Sequence, residues 1–348
     1  MNKELMGALD ELERDKNISK ETLLDAIEQS LIQAYKNHFG KADNVHVTIN
    51  RETGDFSVYA DRRVVEFVED PAEEVSLVEA QKQNTNAEVG DILKVPVHSD
   101  KFGRIATQNA KNVILQKIRE EERKVLFDQY HGNEKEVVTG IVQRVVGHNV
   151  SVNLGKADAI LAENEQVKGE TFKPTERIKV YILEVKDTPK GPRILVSRTH
   201  PGLVKRLFES EVAEVKDGTV EIKSIAREAG SRTKIAVYSK DQNVDAVGAC
   251  IGPKGARVAK IVDELGGEKI DVVKYSEDPA EFVAAALSPS QVVSVDVAED
   301  GSKSCIVKVP DNQLSLAIGN KGQNARLAAK LTGWKIDIKP ESGFYGEE

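Results

Sequence analysis

Two short stretches hold residues with chemistry to do: Ile251-Gly252-Pro253-Lys254-Gly255 and Ile318-Gly319-Asn320-Lys321-Gly322. Glycines at both ends of such a turn remove Cβ atoms, so another chain can come close to the peptide planes and left-handed backbone is tolerated. A turn of this kind that opens a helix also presents unpaired N–H groups and the positive end of a dipole, which favour a phosphate. Lys254 and Lys321 place a full charge at that spot. Around the turns lie further donors suited to a phosphate or a base edge: Arg257 after the first, and Gln323, Asn324 and Arg326 after the second. Arg227, Arg232 and Lys234 flank a Gly230-Ser231 turn, and Arg193 and Arg198 close a strand-rich segment upstream. The expected ligand is a nucleic-acid backbone. For one turn taken alone, a plain helix-turn-helix linker is an equal reading.

The duplication decides between them. CIGPKGARVAKIVDELGGEKIDVV from Cys250 and AIGNKGQNARLAAKLTGWKIDI from Ala317 align with a single one-residue gap. Upstream of each turn stand two candidate strands, TVEIKSIAREA with TKIAVYS and QVVSVDVA with KSCIVKV, and before those a helix near Leu203 to Val212 and near Pro279 to Leu287. Each unit therefore reads helix, strand, strand, helix, GxxG, helix, strand. Ile251, Ile318, Cys250, Cys305 and Trp334 are expected to pack in the cores of these units.

Other elements must present the two units. From 137 to 198, VVTGIVQRVV, NVSVNLGKADAIL, ERIKVYILEVK and PRILVSR read as short strands of a small OB-type Greek-key barrel, with an SH3-like barrel as the alternative on spacing. Its strands offer few aromatic stacking platforms; Phe172 and Tyr181 are candidates, each equally suited to the core. Residues 1–38 read as two helices, with Leu5, Leu9 and Leu12 on one stripe and Leu23 to Tyr35 on the next, the second capped by Ser19. VHVTIN at 45–50 and FSVYADRRVVEFV at 56–68 form a hairpin through ETGD, ILKVPV follows at 92–97, and a long helix runs from about Thr107 to Tyr130.

Composition narrows the function. The 348 residues hold 49 Lys plus Arg and 57 Asp plus Glu, a net charge of −8. That excludes nucleic-acid binding by bulk charge. The excess is uneven: residues 1–132 hold 18 bases and 25 acids, while the remainder holds 31 and 32. Two cysteines and no Cys/His cluster argue against a disulfide framework or a zinc site. No P-loop, GxSxG, HExxH or Cys/His nucleophile pattern is present, so neither enzyme chemistry nor a cofactor is expected. The start of the chain has acids where a secretory leader would be basic, and no apolar run approaches a membrane span.

The paired IGxKG turns, in this strand and helix context, resemble the KH family, whose GxxG loop holds about four nucleotides of single-stranded nucleic acid. With strands ahead of the loop helices, the order is similar to the bacterial type II variant. Two such units after an OB barrel and an acidic helical domain resemble the layout of bacterial transcription elongation, termination and antitermination factors. SRTHPGLVKRLFESEV at 197–212 and IAREAGSRTKIAV at 225–237 carry the resemblance further, with Ala229 departing from the proline usual there. Acidic carboxy-terminal repeats carried by some relatives are not expected after the second unit.

The resemblance implies a multidomain α+β protein: an amino-terminal α/β domain with a long connecting helix at 1–132, an OB-type barrel at 133–199, and type II KH domains in tandem at 200–277 and 278–348. It further implies RNA polymerase and single-stranded nascent RNA as partners, together with other factors of the same process, in a cytoplasmic monomer. An RNA-processing enzyme and a ribosome-associated KH protein are the alternatives. The enzyme would need a catalytic core that 132 residues do not supply.

Overall fold

The computed structural model describes residues 2–16, 18–39, 44–96 and 100–343. Val97, the last residue of the 92–97 stretch, and the final five residues of the second KH span lie outside the described residues, as do the side chains of Leu5, Tyr35 and Thr107. The chain falls into two units, residues 1–125 and 126–348.

In the first unit, α1 (Asn2–Lys16) and α2 (Lys20–Phe39) lay Leu9, Leu23, Leu24, Ile27 and Leu31 against a sheet, all buried. Ser19 Oγ accepts the Thr22 N–H at 3.5 Å, the cap expected there. β1 (Val45–Ile49) and β2 (Phe56–Val65) pair antiparallel, and Val45, Val47 and Ile49 turn inward on the two-residue period of a strand. Asn50 Oδ1 accepts the N–H groups of Glu52 and Thr53, which closes the hairpin turn. The far half of β2 belongs to a small head. There it pairs in parallel with β3 (Glu74–Ser76) and antiparallel with β4 (Ile92–Pro96), while α3 (Leu77–Gln83) starts at a Ser76 cap. Val64, Val75, Ala80 and Ala87 form its core.

Helix α4 (Asp100–His131) starts about two turns ahead of the expected Thr107. Ala110, Val113, Ile114 and Ile118 pack on the core of the first unit, and its last turns belong to the second, where Leu126, Phe127 and Tyr130 join the barrel core. The Tyr130 hydroxyl donates to the Leu154 carbonyl at 3.0 Å.

The barrel is closed in the order β5 (Val137–Val146), β6 (Asn149–Asn153), β7 (Asp158–Leu161), β9 (Arg193–Ser197), β8 (Arg177–Lys186), which is the OB arrangement rather than the SH3-like one. Gly140 is required at the tight corner of β5, since a Cβ there would meet Val152 Cγ1 at 2.3 Å.

Two units of one topology follow. The first has α5 (Pro201–Glu211), α6 (Ala213–Lys216), β10 (Val220–Glu228), β11 (Arg232–Ser239), α7 (Ala246–Ile251), α8 (Ala256–Glu264) and β12 (Lys269–Lys274). The second has α9 (Pro279–Ala286), β13 (Ser294–Val297), β14 (Ser304–Val309), α10 (Leu314–Ile318), α11 (Gln323–Thr332) and β15 (Lys335–Pro340). In each, the central strand pairs antiparallel with the strand before it and parallel with the strand after the helices. One sheet face covers the unit's own helices. The other face of the first sheet, with Ala226, Ala236 and Val273, is built into the core of the second unit beside Phe282, Leu287 and Leu327.

Candidate nucleic-acid interface

The two GxxG turns are near copies. Gly252, Lys254 and Gly255 have φ of 74°, 54° and 77°; Gly319, Lys321 and Gly322 have 76°, 51° and 73°. The N–H of the first glycine bonds back four residues in both, Gly252 to Gly248 at 2.8 Å and Gly319 to Ser315 at 2.9 Å. The two glycines of a turn are there for different reasons. A Cβ on Gly252 would strike Arg257 Cγ at 2.6 Å, and one on Gly319 would strike the Asn324 N and Cβ at 2.8 Å, so packing demands the first glycine in addition to its own positive φ with extended ψ. Gly255 has open space above it, and Gly322 has only the end of Arg326 within reach at 3.4 Å. Positive φ demands the second glycine, and its bare face lets a chain come close.

Each turn opens a helix whose start has no side-chain cap: Gly255 precedes α8 and Gly322 precedes α11. The first-turn N–H groups therefore point outward without a protein acceptor from the cap residue, the arrangement that favours an anion. Pro253, Lys254, Asn320 and Lys321 are exposed at the tips. Lys254 and Lys321 sit in left-handed backbone although they are not glycines, a strained state held identically twice. Just ahead of the second turn, Leu316 and Ile318 are exposed, against the expectation that Ile318 is core. They put an apolar surface beside the second GxxG turn. Ile251, the counterpart in the first turn, is half-buried.

The structure corrects the surrounding list of donors. Arg227 is buried, its guanidinium bonded to both Glu268 oxygens at 2.9 Å and to the His200 carbonyl at 2.9 Å. Burial raises the Glu268 carboxyl, but Arg227, Thr233 and the Gly230 N–H outweigh it and hold it below the usual carboxylate range. Lys234 is fully buried, with Nζ 2.9 Å from Asp271 and 2.7 Å from the Ser288 carbonyl; burial pushes its ammonium down against the pull of Asp271. Arg198, also buried, ties Glu170, the Lys179 carbonyl and the Glu264 carbonyl, which joins the barrel to α8. None of the three faces a ligand, because each buried carboxylate or carbonyl holds a cation where water cannot.

Arg257 and Asn324 stand at the same position after their turns and do the same work. Arg257 donates to the Ala249 carbonyl and to Glu214, and Asn324, buried, donates to the carbonyls of Ala317 and Leu287. Both tie the turn to the end of the helix before it. Gln323 donates to Glu228 at 2.8 Å and Ser231 at 2.7 Å, and Arg326 pairs with Glu228 at 3.0 Å. Glu228 is held below its usual value by the Gln323 hydrogen bond first and by Arg326. The hairpin tip expected to meet RNA thus holds the start of α11, beside the second GxxG turn. Gly230 packs on Val167 of the barrel, where a Cβ would fall 2.4 Å from Val167 Cγ1.

Arg232 is part-exposed, 3.7 Å from Asp271, and Arg193 is exposed at the start of β9. Tyr181 is buried and stacks on His200 at 4.6 Å, and Phe172 packs on the barrel core, so neither is a base platform. Cys250 and Cys305 are buried and free, and burial pushes the Cys250 thiol up to about 12. Trp334 packs on the core of the second unit. Among the described residues no His/Cys/Asp/Glu group could hold a metal, and no helix is long and apolar enough to cross a membrane.

These modules match family models in chain order. The NusA N-terminal domain matches residues 4–124, the S1 RNA binding domain 132–197, the NusA-like first KH domain 198–275 and the NusA-like second KH domain 279–345. The transcription termination/antitermination protein NusA of Bacillus subtilis (strain 168) is 56% identical over 353 residues, covering 100% of this chain and 95% of its own length. The chain belongs to the NusA family. The NusA of Halalkalibacterium halodurans is also 56% identical, over 342 residues, 98% of this chain and 89% of that protein. That of Thermus thermophilus is 42% identical over 350 residues, 97% and 90%. The NusA-like KH models span both duplicated turns, and the S1 model spans the closed barrel.

Proposed function

We propose that this protein is a non-enzymatic, RNA-binding transcription elongation factor that engages RNA polymerase through residues 1–132 and nascent single-stranded RNA through the KH clamps. It modulates pausing, termination and antitermination. The observation that carries the RNA half is the pair of superimposable, uncapped, glycine-faced turns, each with an exposed lysine in left-handed backbone. RNA contact is assigned to Gly252, Pro253, Lys254, Gly255, Gly319, Asn320, Lys321 and Gly322, with Arg193 and Arg232 as exposed or part-exposed flanking cations. The mechanism needs no bond-making. A transcript segment held extended cannot pair with its complement, so the clamps bias which hairpin forms behind the polymerase. Other Nus factors are the expected partners in antitermination, and the protein acts in the cytoplasm as a monomer without a cofactor or metal.

The test uses the whole chain carrying Lys254→Asp and Lys321→Asp. Both lysines are exposed, and aspartate tolerates left-handed backbone, so the fold survives while a phosphate meets a like charge. Fluorescence anisotropy with labelled single-stranded RNA should show at least a roughly hundredfold loss of affinity, from two charge reversals at about 1.5–3 kcal/mol each, with polymerase binding kept. Unchanged RNA affinity would refute the clamps, and co-purification with ribosomes instead of polymerase would sink the transcription reading.

A further inference from the structure

The acidic excess of the first 132 residues has an address. Residues 66–91 hold eight acids and one base, Lys82, a net of −7; the rest of residues 1–132 hold 17 acids and 17 bases. This stretch, with β3 and α3, makes up most of the small head; the flanking ends of β2 and β4 add Asp61, Arg62, Arg63 and Lys94, so residues 61–96 carry nine acids and four bases, a net of −5. It also exposes apolar side chains that its core does not use: Phe67 is 84% exposed, Ile92 71%, Val78 69% and Val89 51%.

The strand register gathers them. Val65 pairs with Ser76, and Phe67 and Val78 each lie two residues beyond that pair. The Gly90 N–H bonds to the Val64 carbonyl, which brings Val89 to the same end, and Ile92 sits across from Arg63 on the pleat opposite the inward Leu93. Single exposed apolar residues are ordinary, but several at one end of a sheet mark an interaction surface.

The charge identifies what covers it. A head of net −5 repels RNA and anionic lipid, and two copies would set like charge against like. The fitting occupant is a protein surface with an apolar socket ringed by Lys and Arg. We infer that this apolar-tipped, acidic head is the face that seats on a basic surface of RNA polymerase. The inference rests on the polymerase-binding role proposed above and assigns that role to the head.

The test compares three full-length proteins: unsubstituted, Phe67→Ser with Val78→Ser, and Glu66→Lys with Glu69→Lys and Glu88→Lys. Binding to purified core RNA polymerase is measured at two salt concentrations, with RNA affinity and a thermal melt on the same samples. The apolar pair, central to the surface, should weaken polymerase binding by roughly tenfold or more through faster dissociation. The charge reversals should slow association and flatten its salt dependence. RNA affinity should not change in either. Polymerase binding like the unsubstituted protein in both variants overturns the head as the docking face while the proposed function stands. An unsubstituted chain that does not bind polymerase overturns both.

Discussion

Lys234, Ala236 and Val273 on the first KH sheet occupy the register positions that Ile306, Lys308 and Lys339 hold on the second. The helices and clamps on the other side of the two sheets are alike. On the first sheet the three side chains are buried under the second unit's helices; on the second they face solvent, Lys308 paired with Asp296 and Lys339 with Asp337. At two of the three positions the sheet that receives a neighbour carries alanine or valine where the solvated sheet carries lysine; at the third, Lys234 is buried only because Asp271 and the Ser288 carbonyl hold its ammonium. The duplicated clamp is thereby held as a pair, while the surface that joins the pair is present only once.

The largest effect should come from giving the first sheet the residue of the second. Ala236→Lys puts an unpaired ammonium into the shared core, and we expect a loss of more than about 4 kcal/mol, in the range reserved for buried unpaired charge. Urea unfolding should show it, together with a loss of single-transition behaviour as the joint opens before the units melt. The reverse change, Lys308→Ala, should stay within about 0.5 kcal/mol because it touches only a solvated face. A loss under about 1 kcal/mol for Ala236→Lys would mean that the two units do not share a core.

A second difference lies at the residue before each Lys-Ile-Asp, Glu268 in the first unit and Trp334 in the second. Glu268 holds Arg227, Thr233 and the Gly230 N–H; Trp334 packs against apolar neighbours. Glu268→Ala strands the Arg227 guanidinium, and we expect about 3 kcal/mol of destabilisation. The pH dependence follows in sign. With the folded carboxyl below its unfolded value of about 4.3, the stabilisation is complete above that value and is lost as pH falls through the folded pKa. The acid limb of the stability curve should therefore flatten in Glu268→Ala. An unchanged acid limb would mean that Glu268 is not the carboxylate responsible.

What was legible in the sequence was local or repeated. The OB strands, the Ser19 cap, the hairpin turn and both GxxG turns follow from period, glycine placement and self-alignment, which act over a few residues. The fate of individual cations was not, since their partners lie far along the chain. Glu268 is 41 residues from Arg227, and Glu228 is 95 from Gln323. An arginine beside Gly230-Ser231 has the same sequence signature whether it meets a phosphate or a buried carboxylate. Glu268 stands just ahead of a strand start, and nothing in that spacing announces it as the anion under Arg227. Asn324 carried a usable signal that went unread: it aligns with Arg257, and a position filled by two unlike donors after the same turn suits a bond to the backbone better than a common reading of bases.

The smallest effect tests how the second clamp is held. Gln323 and Arg326 bond to the hairpin tip of the first unit, and the aligned residues in the first unit are Ala256 and Ala259. Replacing both by alanine gives α11 the residues of α8 at those two positions. Arg326 is half exposed, so its ion pair is worth under about 1 kcal/mol, and the pair of changes should lower stability by about 1 kcal/mol in all. The informative readout is RNA length. A strand long enough for both clamps gains from their fixed spacing, because the second contact forms at a high effective concentration. Loosening α11 at its start should weaken that long strand a few-fold and leave a four-nucleotide strand unchanged. If the short strand weakens equally, the two side chains act on the turn itself, by touching RNA or through the Arg326 hydrogen bond to the Lys321 carbonyl, and the helix start is part of the clamp rather than its anchor.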